Sequence, residues 1–75
     1  MVTSDTNEFP EKLLLSARDL AVLLDIGERT LWRLDSMGKL PKPIRIGSLK
    51  KWRRHEIEAW IDAGCPDRTE WEAHQ

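Results

Sequence analysis

The sequence predicts an α+β fold of about three helices plus a two-stranded β-hairpin, and three observations predict it. Apolar residues recur at helical spacing in two short runs separated by Asp25-Ile26-Gly27. Pro41 and Pro43 then exclude continued helix, and the alternating Ile44-Arg45-Ile46 with the turn pair Gly47-Ser48 announces a hairpin. Helical spacing resumes at Ile57, Trp60 and Ile61. Two short helices on a three-residue turn, followed by a hairpin and another helix, have the order of a small winged helix-turn-helix.

Within 75 residues there is room for one core. The expected organisation is a flexible N-terminal arm over residues 1–12, the winged helix-turn-helix over residues 13–64, and a C-terminal tail over residues 65–75. The arm is polar apart from Val2 and Phe9. Leu13 to Leu15 is a short apolar run that forms a small strand or plugs the core. Ser16 stands before a helix of roughly Ala17 to Leu24 and makes a capping box with Asp19, Asp replacing the usual Glu or Gln. Leu20, Leu23 and Leu24 give that helix its apolar face.

Gly27 serves as a turn residue or as N-cap for a second helix that begins near Glu28. Leu31 and Leu34 point inward, Gly38 ends the helix, and Arg29, Trp32, Arg33 and Ser36 line the opposite face. The hairpin pairs Ile44–Ile46 with Leu49–Arg53 in a register the sequence leaves open. Arg45 and some of Lys50, Lys51 and Arg53 face solvent, while Ile44, Ile46 and Trp52 are available for packing. A third helix is expected over Glu56 to Ala63, with Ile57, Trp60 and Ile61 on its apolar face, before Gly64-Cys65-Pro66 stops it. In the tail, Thr69 and Glu72 offer the caps of a marginal last turn.

Charge is the main functional clue. Residues 1–27 carry two basic and five acidic side chains, residues 28–55 nine basic and two acidic, and residues 56–75 one basic and six acidic. The segments thus stand at −3, +7 and −5 within a net charge of −1. Such polarisation presents a cationic face to an anionic partner.

Several function classes are excluded at this level. A domain this small buries only about 60% of its unfolded surface, which leaves little room for an enclosed active site. The lone Cys65 allows no internal disulfide and suits a reducing cytosol. His55, His74 and Cys65 lack metal-ligand spacing, and no Ser, His and Asp grouping or glycine-rich phosphate loop supports catalysis. The expectation is a cytoplasmic binding module, not an enzyme, with no cofactor, no metal, no small-molecule ligand and no membrane contact.

The second helix, with cations outward, is built as a recognition helix that enters the major groove of double-stranded DNA. Arg29 and Arg33 have the bidentate geometry for phosphates and base edges. Lys42, Arg45, Lys50, Lys51, Arg53 and Arg54 extend phosphate contact along the wing and its flanks. Glu28 serves the helix dipole in preference to accepting from a cytosine amino group. Trp32 lies against sugar-phosphate or packs under the wing, Trp52 and Trp60 belong to the core, and Trp71 either covers the domain's own surface or pins a partner chain.

Three blocks, Leu23 to Leu34 (Leu-Leu-Asp-Ile-Gly-Glu-Arg-Thr-Leu-Trp-Arg-Leu), Gly38 to Gly47 and Trp52 to Ile61, occur in order and with fitting spacings. Together they resemble the AlpA-like, excisionase-like branch of the MerR superfamily over about Leu13 to Ala63. The resemblance implies a winged-helix DNA-binding protein of prophage or mobile-element origin in bacteria, acting as a transcription regulator or as a recombination directionality factor for an integrase. It places Thr30, Leu31 and Arg33 on the family's Thr-Leu-(aromatic)-Arg pattern, with Trp32 in the aromatic place. Asp25 stands where Gly is common, Gly27 where a Ser cap is common, His55 where Ser usually caps the third helix, and Lys50 where the wing often has an apolar residue.

No long heptad helix is present, so contact between further copies on adjacent sites would use the arms or the domain surface. The rival reading is a protein-interaction module, such as a phage assembly or anti-regulator factor, whose basic face meets an acidic partner. RNA ranks third, because the aromatic sheet platform of single-strand readers is missing.

Overall fold

The computed structural model describes residues 12–73. The arm expected over residues 1–12 lies outside the described residues except for Lys12, and so does His74. Four helices and a three-stranded antiparallel sheet make an α+β fold in the winged helix-turn-helix arrangement. Their order is β1 (Leu14–Leu15), α1 (Ala17–Leu24), α2 (Glu28–Ser36), β2 (Ile44–Ile46), β3 (Leu49–Arg53), α3 (Arg54–Asp62) and α4 (Arg68–Ala73).

Ser16 starts α1 through a complete capping box: its Oγ accepts the Asp19 N–H at 3.0 Å, and the Asp19 carboxylate accepts the Ser16 N–H at 3.2 Å. Lys12 Nζ donates to the same carboxylate at 3.1 Å. These bonds, that of Lys12 foremost, hold the Asp19 carboxyl below its ordinary value. The buried face of α1 is Ala17, Leu20 and Ala21, with Leu24 partly buried. Leu23, expected on this face, is exposed instead. It lies outside the i, i+3, i+4, i+7 stripe that begins at Ala17.

The turn between α1 and α2 works through backbone bonds. Asp25 takes the left-handed conformation (φ 59) and donates its N–H to the Val22 carbonyl at 3.1 Å, while Ile26 N–H reaches the Ala21 carbonyl at 2.9 Å. Gly27, extended at φ −75, gives α2 no side-chain cap. At the far end of α2, Gly38 (φ 73) and Lys39 donate to the Asp35 and Leu34 carbonyls at 3.1 and 2.9 Å, a Schellman closure. Glycine suits the positive φ there.

The hairpin register pairs Ile44 with Lys51, Arg45 with Lys50 and Ile46 with Leu49. Positive φ falls on Gly47 and not on Ser48, which is the type II′ pattern for a two-residue turn. Ile46, expected to pack, is 51% exposed and faces Leu49 at 56%. The pair sits beside the turn, beyond the reach of the core. The expected two-stranded hairpin is extended by a third strand. Leu14 pairs with Arg53 and Leu15 with Trp52, giving the order β1-β3-β2. The run at Leu14–Leu15 is therefore a strand whose Leu15 is also a core residue.

Helix α3 begins at Arg54, two residues before the expected Glu56, and ends at Asp62. Arg53 closes β3 and is also the N-cap residue, so strand and helix share a junction with no loop. The Arg54 N–H, which a helix start leaves without an internal partner, donates to the Leu13 carbonyl at 2.9 Å. His55 thus lies inside the first turn of α3 and is not its cap. Ile57 and Trp60 are buried, but Ile61, expected beside them, is exposed.

The fourth helix adds to the three expected and lies in the segment read as a tail. Thr69 sits within it and not at its start, where the Asp67 backbone carbonyl accepts the Trp71 N–H at 2.8 Å. Trp71 is buried, which answers the question left by the sequence in favour of covering the domain's own surface. One core joins Leu15, Leu20, Leu31, Leu40, Trp52, Ile57, Trp60 and Trp71. All three buried indoles donate: Trp52 to the Pro41 carbonyl at 2.9 Å, Trp60 to the Pro66 carbonyl at 2.8 Å, and Trp71 to Glu56 at 2.9 Å. No described helix is long and apolar enough to cross a membrane.

Candidate nucleic-acid interface

On α2 the inward residues are Leu31 and Asp35, with Leu34 and Thr30 half-buried. Arg29, Trp32, Arg33 and Ser36 are all exposed on the other side, and Glu28 is exposed in the first turn. The face read from the sequence is thus brought together on one helix. Ser36 Oγ donates back to the Arg33 carbonyl at 2.9 Å, which turns its hydroxyl toward the helix's own backbone.

Cross-strand partners leave the same face of a ribbon, so Arg45 and Lys50 share a face with Trp52, two residues along β3. That face looks at α2. The Trp52 and Trp32 ring centroids are 5.9 Å apart at 53°, and Lys50 Nζ lies 5.6 Å from the Trp32 ring centroid. Trp32 packs beneath the wing through one side of its ring and stays 40% exposed. Lys51 lies on the other face of the ribbon, as the partner of Ile44.

The six wing and flank cations fall into two groups. Lys50 bonds Asp35 at 3.3 Å, Arg53 lies 3.7 Å from Glu56, and Arg54 bonds Glu58 at 3.2 Å. Lys42, Arg45 and Lys51 have no ion-pair partner among the described residues, and neither do Arg29 and Arg33. The unpaired set is the one with charge to spare for an outside anion. Arg53 and Arg54 are engaged in holding the start of α3.

Between α2 and the hairpin lies a cleft of about 480 Å³ lined by Trp32, Ser36, Lys42, Pro43, Arg45 and Lys50, with Asp35 and Arg68 at its floor. Asp35 and Arg68 were not among the residues singled out from the sequence. Asp35 is 7% exposed and receives two cations, Lys50 at 3.3 Å and Arg68 Nη2 at 2.8 Å. A buried carboxylate needs such pairing, because desolvation otherwise outweighs its charge. Arg68 also donates to the Leu40 carbonyl at 2.9 Å and the Asp35 carbonyl at 3.3 Å. One signal was present: Arg68 is the only cation of residues 56–75, and Asp35 is one of two acids in residues 28–55.

Among the described residues no group of three or more His, Cys, Asp or Glu side chains is placed to hold a metal ion. Compared with known proteins, the chain matches no family model, and no curated protein or solved structure is significantly similar to it.

Proposed function

We propose that this protein binds double-stranded DNA, with α2 in the major groove and the hairpin along the backbone or the adjacent minor groove. The observation that carries the reading is the set of cations with no ion pair among the described residues, Arg29 and Arg33 on the outer face of α2 and Lys42 and Arg45 at the cleft between that helix and the hairpin. Free cations on an exposed helix face meet the two demands of groove entry, phosphate neutralisation and access to base edges. The paired Arg53 and Arg54 take a lesser part in this reading, and Lys50 acts from within the cleft.

The output of such a module is occupancy of DNA. In line with the resemblance to AlpA-like and excisionase-like proteins, the proposed role is that of a prophage or mobile-element regulator, acting at a promoter or at a recombination site with an integrase. Binding of further copies on adjacent sites would supply the affinity that one small module lacks.

Fluorescence anisotropy of a duplex of about 25 base pairs, titrated at several salt concentrations, tests the reading. A log-log slope of about −4 to −7 is expected, from several phosphates neutralised at once. Absence of binding even at low salt sinks it, and the basic face would then be assigned to an acidic protein partner.

A further inference from the structure

The hairpin carries a local conflict that the described residues resolve on one side only. Arg45 and Lys50 stand directly opposite each other on one face of the ladder, and like charges at such a pair oppose sheet formation. Lys50 has Asp35 to lean on at 3.3 Å. Arg45 has no ion-pair partner among the described residues, and Lys42 at the same cleft has none either. A local rule broken without full compensation among the described residues is what a functional site shows, and an anionic ligand would supply the missing counter-charge.

The cleft has the chemistry to do so. Lys42, Arg45, Lys50 and Arg68 converge on it against the single carboxylate of Asp35. Asp35 is buried and already bound by Lys50 and Arg68, so it anchors those two and leaves Lys42 and Arg45 without a counter-charge among the described residues. The cleft is open to solvent and about 480 Å³ in volume, room enough for a phosphate group with its flanking sugar. The half-exposed Trp32 ring offers that sugar an apolar wall.

We infer that the cleft between α2 and the hairpin is the seat of one phosphate oxyanion, held by Lys42 and Arg45 together, with Asp35 positioning Lys50 and Arg68 beneath it. The inference rests on the DNA-binding reading, in which the oxyanion is a backbone phosphodiester. A free inorganic phosphate shares the same chemistry.

The test is a double-mutant cycle on the salt dependence of duplex binding by the full chain. Lys42→Ala and Arg45→Ala change exposed side chains that hold no ion pair among the described residues, and circular dichroism checks that the fold is kept. If both grip one phosphate, each single variant lowers the log-log slope by about 0.9 and weakens binding about tenfold. The double variant then lowers the slope no further. Arg18→Ala, on α1 and away from the cleft, leaves the slope at its original value.

Additive loss in the double variant overturns the shared seat, because it assigns a separate phosphate to each cation. An unchanged slope overturns the seat while leaving the DNA-binding reading intact. If the unaltered protein binds no duplex, that reading falls by itself, and titration with inorganic phosphate followed by amide NMR decides the seat. Shifts confined to Ser36, Lys42, Arg45 and Lys50 sustain it with a free anion as its source, whereas scattered shifts or none overturn it.

Discussion

Arg68 Nη2 and Asp35 Oδ1 meet at 2.8 Å, and each is at odds with the charge of its own segment. Arg68 is the one cation of residues 56–75, in a stretch otherwise acidic, while Asp35 lies in the strongly basic residues 28–55. Their pairing joins α4 to the C-terminal turn of α2. The Arg68 backbone adds to the joint, its N–H donating to the Gly38 carbonyl at 2.8 Å. Lys50 of β3 bonds the same carboxylate at 3.3 Å, so α4, the candidate recognition helix and the wing are joined at Asp35.

Breaking that joint from the acidic side is therefore costly. Asp35→Ala leaves Lys50 and Arg68 partly buried without their counter-charge, and a loss of about 2–3 kcal/mol is expected, less than for a fully buried pair because both cations retain some solvent. Urea unfolding measures it. Arg68→Met, which keeps the stem's packing, should cost less than Arg68→Ala. Equal losses in the two would mean that the stem contributes nothing.

The turn between α1 and α2 holds two residues that suit each other's positions. Asp25 occupies a left-handed conformation at a helix C-terminus, where a side chain is strained and a negative charge opposes the dipole. Gly27 occupies an extended N-cap position with open space where a Cβ would stand. Asp25→Gly and Gly27→Ser should each stabilise by about 0.5–1 kcal/mol. Thermal unfolding checks both, and a lower midpoint in either variant contradicts the geometry described.

The capping box makes a prediction about pH. The folded-state carboxyl of Asp19 is held low by Lys12 and by the Ser16 N–H and hydroxyl, so its contribution is fully present above the unfolded value of about 3.9. It is lost as pH falls through the still lower folded value. The stability difference between the unaltered protein and Asp19→Asn should accordingly be flat near neutrality and shrink only below about pH 4. Ser16→Ala should cost about 1 kcal/mol at neutral pH. A difference that vanished already at pH 6 would place the charge effect on another group.

Residues whose partners lie close in sequence were legible from it. Ser16 with Asp19, the apolar pair Leu31 and Leu34, and Gly38 at the helix end all express spacing within one or two turns. The outward face of Arg29, Trp32, Arg33 and Ser36 was legible for the same reason. Leu23, Ile46 and Ile61 were misplaced because apolarity marks what can be buried, whereas burial also requires an opposing surface that only the tertiary fold supplies. The same limit hid the Asp35 and Arg68 pair, whose attraction crosses 33 positions. Trp71 is the remaining instance: its burial depends on Glu56 of α3 lying within reach of its indole, which no local pattern encodes.

Charge reversal separates the free cations from the engaged ones. Arg29 and Arg33 are exposed and hold no ion pair among the described residues, so Arg29→Glu with Arg33→Glu should leave the circular dichroism spectrum and thermal midpoint nearly unchanged. Duplex affinity should nonetheless fall at least a hundredfold, since two favourable contacts become two repulsive ones in the groove. Arg53→Ala with Arg54→Ala should behave in the opposite sense. These side chains are already committed to Glu56 and Glu58, so affinity should fall only a few-fold while the start of α3 loses support. Footprinting on the same variants reads the result independently of affinity. If the Arg29 and Arg33 double variant still protected duplex phosphates at the original concentration, the outer face of α2 would not be the contact surface, and the cationic mouth of the cleft would have to carry binding without it.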